Sequence, residues 1–253
     1  MAAFFWPNNY QKRAVPFSMT VIPSPPLVQR KEVPVPTGPW RYYQEWNRAL
    51  FMHWPVATAS LADHLPEGLI LDTYQGQAWI SVVPFVLERV RPRGLPAVRG
   101  VSDFAELNIR TYVLRDGVPG VYFLAIEAGS KVGTWIAKNL SGLPYSYARI
   151  EHTNHEVSVK AGSRGVQLQL GYSVGNSMAS GPLDVWLTER YAIHQVTKGK
   201  LRTYPAQHQP WQLKQLSLSY FSFEYPQFES LVEGPPVRMA YSEGVQVHAW
   251  DPY

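Results

Sequence analysis

Residues 104–113, Phe-Ala-Glu-Leu-Asn-Ile-Arg-Thr-Tyr-Val, alternate without a break. Glu106, Asn108, Arg110 and Tyr112 fall on one side, and Leu107, Ile109, Thr111 and Val113 on the other. A period of two sustained over this length specifies a β-strand whose side chains point to opposite faces of a sheet. A surface strand shows the same alternation, with its polar face in water. Here, however, the polar face carries four different hydrogen-bonding chemistries rather than a Lys/Glu/Thr mixture. The turn Arg115-Asp116-Gly117 also leads straight into the nearly all-apolar run 118–126. The strand is therefore read as lying mid-sheet with its polar face lining an enclosed cavity. A solvated or merely structural face is the alternative.

The rest of the chain is strand-rich. A short helix or bend is expected from Trp40, leading into a strand at 49–54, then a short helix at 60–65 with Ser60 as its cap. Segments 68–73 and 77–90 read as a hairpin around Tyr74-Gln75-Gly76. Beyond the central strand and its partner, a helix is expected at 133–140, stopped by Ser141-Gly142-Leu143-Pro144. Short strands at 145–150, 156–160 and 166–172 suggest a meander. A helical turn at 182–187 precedes a hairpin of 190–196 with 200–206 and an alternating strand at 213–224. The tail from Gln227 reads as irregular. The predicted class is mainly β (α+β), a barrel-like body with a few short flanking helices. Residues 1–39 hold eight prolines, which deny a segment both helix and central-strand bonding. They read as an arm on a body spanning 40–253, one that packs on that body or on a second subunit.

Several chemistries are excluded or weak. No cysteine is present, which removes disulfides, thiolate catalysis and cysteine metal sites. Phosphate-cradling glycine motifs are missing. Gly175-Asn176-Ser177-Met178-Ala179 lacks the strand-turn-helix setting of a nucleophile elbow. Glu151-His152-Thr153-Asn154-His155-Glu156 looks ligand-rich, yet strand spacing sends its two histidines to opposite faces, so an exposed polar turn is expected and no metal. The net charge of 23 − 19 = +4 is mild. Arg89, Arg91, Arg93 and Arg99 sit on a Pro/Gly loop that reads as solvated rather than nucleic-acid binding. No apolar run suits a membrane span and the N-terminus makes no convincing signal peptide, so a cytoplasmic protein is the expectation. The Glu189-Arg190 pair reads as a structural salt bridge, and the turn His208-Gln209-Pro210-Trp211 as a packed corner. Cavity lining is the other reading of both.

Several of these segments carry a resemblance: Ala49 to Val56, Leu65 to Leu69, Ala78 to Phe85, Glu106 to Val113, Pro119 to Phe123, Leu143 to Tyr145, Leu187 to Tyr191 and His208 to Trp211. In this order, over roughly residues 40 to 222, they resemble the YqjF-like family, domain of unknown function 2071. That family looks like a branch of the acetoacetate decarboxylase-like superfamily. The resemblance implies a β-cone, a partly closed barrel around a small-molecule cavity. In the decarboxylase a Gly-Phe-Pro-Lys-Lys run supplies a Schiff-base lysine. The matching run here is Gly142-Leu143-Pro144-Tyr145-Ser146, so Tyr145 stands where the amine would be, and neither Tyr145 nor Ser146 can form an imine.

Glu106 corresponds to the glutamate of the decarboxylase's central strand. Among the eight lysines, Lys138 is nearest in sequence to that run. The expected catalytic set is Glu106 as acid/base, Arg110 holding an anionic group, and Tyr145 donating a hydrogen bond or proton. Asn108, Tyr112, His53, Tyr122, Ser146 and His208 are expected to touch the ligand. No cofactor is expected. The expected partner is a small molecule, with a homo-oligomer left open and neither nucleic acid nor membrane. A non-catalytic binding module and a structural subunit with a satisfied buried network are the competing readings.

Overall fold

The computed structural model describes residues 31–34, 36–98 and 101–253. Most of the proline-rich arm, and Arg99, therefore lie outside the described residues. Strands β1 (Tyr42–Val56), β2 (Ile70–Leu71), β3 (Ala78–Pro92), β4 (Phe104–Arg115) and β5 (Val118–Ala128) come first, with helix α1 (Thr58–Ala62) after β1. Helix α2 (Lys131–Ser141) leads to β6 (Tyr145–Tyr147), β7 (Arg149–His152), β8 (Glu156–Ala161) and β9 (Val166–Ser177). Helix α3 (Pro182–Thr188) precedes β10 (Ala192–Thr197), β11 (Lys200–His208), β12 (Lys214–Glu224) and β13 (Arg238–Ala249).

The strands run β1-β3-β4-β5-β10-β11-β13, and β13 returns to pair with β1 along its whole length, from Tyr42 opposite Ala249 to His53 opposite Arg238. This closes a ring. From β13 the sheet also branches through β12 to β9, β8 and β7, which fold over the outside of the ring. The main core lies between these layers. Leu107 and Ile109 of β4 join Leu50, Met52, Ile80 and Val82 of the ring and Val159, Leu168 and Leu170 of the covering sheet. The opposite face of β4 looks into the ring, so β4 is buried on both faces from Glu106 to Leu114. This explains why its polar side carries no solvated pattern.

A β-bulge between β4 and β5 decides what stands beside that polar face. Ile109 pairs with Ala125 but Arg110 with Phe123, leaving Leu124 as the extra residue. The shift turns Phe123 and Val121 inward and Tyr122 to the other side.

Five expected elements differ. The helix or bend expected from Trp40 shrinks to a bend at Arg41, and β1 is continuous from Tyr42. Arg48, at φ 50, and a register shift between Asn47 and Met52 break the alternation that would have marked it. The 68–90 hairpin reduces to a bridge between Tyr74 and Gln77, since β2 pairs with β4 rather than β3. Segment 145–150 is two strands, β6 lying parallel to β5 and β7 pairing with β8. The tail contains β13, whose period is masked by small residues. One of them, Gly244 (φ 145), is required, because a Cβ there would stand 2.7 Å from the backbone oxygen of Trp46. Helix α1 is capped at Ala57 rather than Ser60, without a side-chain hydrogen bond.

Candidate functional site

The ring encloses a cavity of about 410 Å³. Glu106, Asn108 and Arg110 line it from β4, opposite Phe85, Val83 and Ser81 of β3 respectively. Tyr145 reaches the same space from β6. Its position is fixed by α2, which begins with the Ser130 hydroxyl accepting from Gly133 N–H at 3.0 Å. The helix ends at Gly142 (φ 72), whose left-handed conformation turns the chain into β6. The walls are otherwise mostly apolar, with Phe85, Val121, Phe123, Leu143 and Trp211 among them.

Burial sets the state of Glu106. Only 3% of it is exposed, and loss of water around the carboxylate raises its pKa from 4.5 to about 8. Hydrogen bonds from Tyr145 and Asn108 favour the charged form and oppose this, but they are outweighed. Tyr145 is itself pushed well above 10, first by burial and then by the Glu106 charge. At neutral pH both groups are mainly protonated, and the pair is predominantly uncharged.

Arg110 is the opposite case. Its Nη2 donates a long bond of 3.4 Å to Leu187 O, and its guanidinium lies 5.8 Å from the Phe51 ring centre. It forms no ion pair among the described residues, and its Nε has no hydrogen-bond partner. Glu106 Oε2 and Asn108 Oδ1 are likewise buried without partners. The nearby Arg190 also lines the cavity, yet it is neutralised by Asp72 at 2.6 Å and donates to Trp186 O at 2.7 Å. The expected Glu189-Arg190 salt bridge is thus replaced by Arg190-Asp72. Glu189 instead accepts from Tyr191 O–H (2.6 Å) and Trp211 N–H (2.9 Å).

The remaining expected contacts lie off the cavity wall. Tyr112 shares the polar face but is wholly buried beyond Arg110. Its hydroxyl donates to Leu187 O at 2.9 Å and lies 2.6 Å from Ser81 Oγ. His53 Nδ1 sits 2.6 Å from the same Ser81 oxygen, and burial, then the charges of Arg110 and Arg238, hold its pKa well below 6.5. These three side chains form a network behind Arg110 rather than a ligand surface. Tyr122 is turned out by the bulge, and Ser146 alternates away from Tyr145 on β6. His208 packs on Tyr191 (4.8 Å) and Trp211 (5.3 Å), its Nδ1 2.8 Å from Gln209 O. Lys138 is exposed on α2. The turn at 151–156 is not wholly exposed: His152 is half-buried, its pKa lowered to about 4 by burial and then by Arg48. Among the described residues no cluster of potential ligands would hold a metal ion, and no helix is long and apolar enough to cross a membrane. Phe123, Trp211 and Arg190 are wall residues that the expected set lacks. The runs containing Arg190 and Trp211 stand out in the sequence, whereas nothing there marks Phe123.

The family described as an uncharacterized conserved protein, domain of unknown function 2071, matches residues 43–246. The chain belongs to this family. Within domain of unknown function 2071, the uncharacterized protein YqjF of Bacillus subtilis (strain 168) is 38% identical over 194 residues, spanning 74% of this chain and 80% of the relative. Solved structures extend the likeness to fold. Acetoacetate decarboxylase from Legionella pneumophila superposes with a TM-score of 0.59 at 12% identity, covering 87% of this chain and 93% of its own. The enduracididine biosynthesis enzyme MppR, complexed with pyruvate, gives 0.54 at 13% identity over 86% and 90%. This member of the family therefore has the acetoacetate decarboxylase-like fold, a mostly β sheet partly closed into a ring.

Proposed function

We propose that this chain binds a small organic anion inside the ring and moves a proton on that molecule's carbonyl compound framework. The observation that carries the reading is one row of unsatisfied groups: Glu106 Oε2, Asn108 Oδ1 and Arg110 Nε, all buried, all without partners, on one face of β4. Leaving a buried donor or acceptor unpaired costs about 1–3 kcal/mol. Three in a row on a cavity wall argue for a molecule that satisfies them. With Glu106 mainly uncharged and Arg190 neutralised by Asp72, Arg110 leaves a positive charge without an ion-pair partner beside this row, which suits an anion. MppR, which shares the fold, is complexed with pyruvate.

On the resemblance of the Gly142–Ser146 run, Tyr145 stands in for the decarboxylase's amine, so the chemistry runs without an imine. In its ionised form Glu106 removes a proton from the carbon beside a carbonyl. The C–H electron pair enters the enolate, whose oxygen accepts a hydrogen bond from Tyr145 O–H. The proton then returns from Glu106. A base with a pKa of about 8 is stronger than an ordinary carboxylate and still partly ionised at neutral pH. The mostly apolar walls favour a second reading, a binding protein that does no chemistry.

Deuterium uptake from D2O into the carbon beside the carbonyl, followed by proton NMR on pyruvate and longer oxo acids, separates these readings. The expected result is exchange by the wild type, loss of exchange with retained binding in Glu106→Gln, and loss of binding in Arg110→Met. Arg110-dependent binding without exchange leaves the second reading. Absence of Arg110-dependent binding refutes both.

A further inference from the structure

We propose that the molecule taken by this cavity is an oxo acid whose carboxylate and carbonyl stand at opposite ends of an apolar body, not a short 2-oxo acid. The inference rests on the reading of Arg110 as the anchor and of Glu106 with Tyr145 as the reacting end.

Its first support is distance. Glu106 and Arg110 share a face of β4 four residues apart, which in an extended strand is about 13 Å. Their side chains are directed to different partners. Tyr145 and Asn108 hold the carboxyl of Glu106 at its own end. The guanidinium of Arg110 is drawn to Leu187 O (3.4 Å) and toward the Phe51 ring (5.8 Å). A carboxylate bound at Arg110 therefore leaves Glu106 several bonds away. In pyruvate the carboxylate and carbonyl carbons are adjacent, so it can engage one end only.

The second support is the surface between the two ends. Val83 stands opposite Asn108, and Phe85, Val121, Phe123, Leu143 and Trp211 complete the wall. Asn108 Oδ1 is an unpartnered polar atom midway along this stretch. Apolar walls attract apolar surface and gain nothing from a chain of hydroxyls or further charges. The third is volume. At about 410 Å³ the cavity is within the range that holds ligands of drug size, and a three-carbon acid would leave most of it without contact.

A ligand series on the wild-type protein tests this by calorimetry: pyruvate, 4-oxopentanoate, and 3-(4-acetylphenyl)propanoate, which places an aromatic ring between carboxylate and carbonyl. Two controls each lack one end: 3-phenylpropanoate and 4-ethylacetophenone. The expected order is 3-(4-acetylphenyl)propanoate tightest, roughly a hundredfold tighter than pyruvate, which corresponds to about 2.7 kcal/mol. Each control is expected to be at least tenfold weaker than the full molecule. In D2O the acetyl methyl of the long acid should exchange, and Glu106→Gln should abolish that exchange. Pyruvate binding as tightly as the long acid, with both lost in Arg110→Met, overturns the two-ended substrate while leaving the anion-binding function intact. If no acid of the series binds in an Arg110-dependent way, both fall together.

Discussion

Replacing Glu106 with Gln should make the protein progressively more stable than wild type as the pH rises from 5 to 8. In the unfolded chain this carboxyl ionises near its ordinary 4.5, whereas in the folded protein burial holds the proton until about 8. Between those values the unfolded state gains a hydrated charge that the folded state does not. The relative stability conferred by the bound proton is complete below pH 4.5 and is lost as pH climbs to 8. At 1.36 kcal/mol per pKa unit the loss is about 1 kcal/mol at pH 5, about 3 at pH 7 and about 4 at pH 8. Glutamine does not titrate, keeps an oxygen to accept from Tyr145, and escapes this loss. Urea unfolding of both proteins at pH 5, 6, 7 and 8 provides the assay. Every other titrating group is common to the two chains and cancels in the difference, and any fixed effect of the substitution appears as a constant offset. The variant should gain about 3 kcal/mol on the wild type across the series. A difference that stays flat, or that moves in favour of the wild type, would show that Glu106 is ionised in the folded state and would refute the uncharged Glu106-Tyr145 pair.

Tyr145→Phe removes a hydrogen bond that favours the charged carboxylate, so carbon-13 NMR of the Glu106 carboxyl should find its midpoint moved above 8. A downward move would contradict the assigned donor. Tyr112→Phe breaks the links to Ser81 Oγ and Leu187 O and should cost about 1–3 kcal/mol in urea unfolding; a negligible change would mean that network is not holding α3. Arg190→Met removes the guanidinium 2.6 Å from the buried Asp72 carboxylate and should cost up to about 3–5 kcal/mol, whereas Arg190→Met with Asp72→Leu should recover much of it.

The polar face of β4 could be read from sequence because alternation reports which residues share a face whatever surrounds the strand. It does not report depth. Tyr112 has the parity of Glu106, yet α3 covers that end of the ring, so its hydroxyl meets Leu187 O instead of the cavity. His53 is removed from the wall in the same way, through Ser81. Tyr122 and Phe123 exchange roles because one extra residue, Leu124, sits in β5, and a bulge has no signature in an all-apolar run. The body's strand-rich class was legible from repeated short alternations. β13 was not: the backbone of Trp46 and Asn47 presses close on Gly244, and Ala240, Ser242 and Gly244, all small, carry little hydrophobic signal.

The pairing of β13 with β1 has a consequence for how the protein is made. Tyr42 must find Ala249, so the first strand of the ring waits for almost the last residue of the body before its second edge is covered. Closing so long a loop is entropically costly and slow. While the chain emerges from the ribosome, β1 therefore presents an open, largely apolar edge, and such edges invite pairing with other chains. The cavity walls contributed by β11 and β13 do not exist until that closure, so a ligand cannot template the early steps. It can only select the closed ring afterwards, adding stability in proportion to the logarithm of its concentration. A molecule that seats between Arg110 and Glu106 would act in the cell as a late-acting guard of the finished barrel.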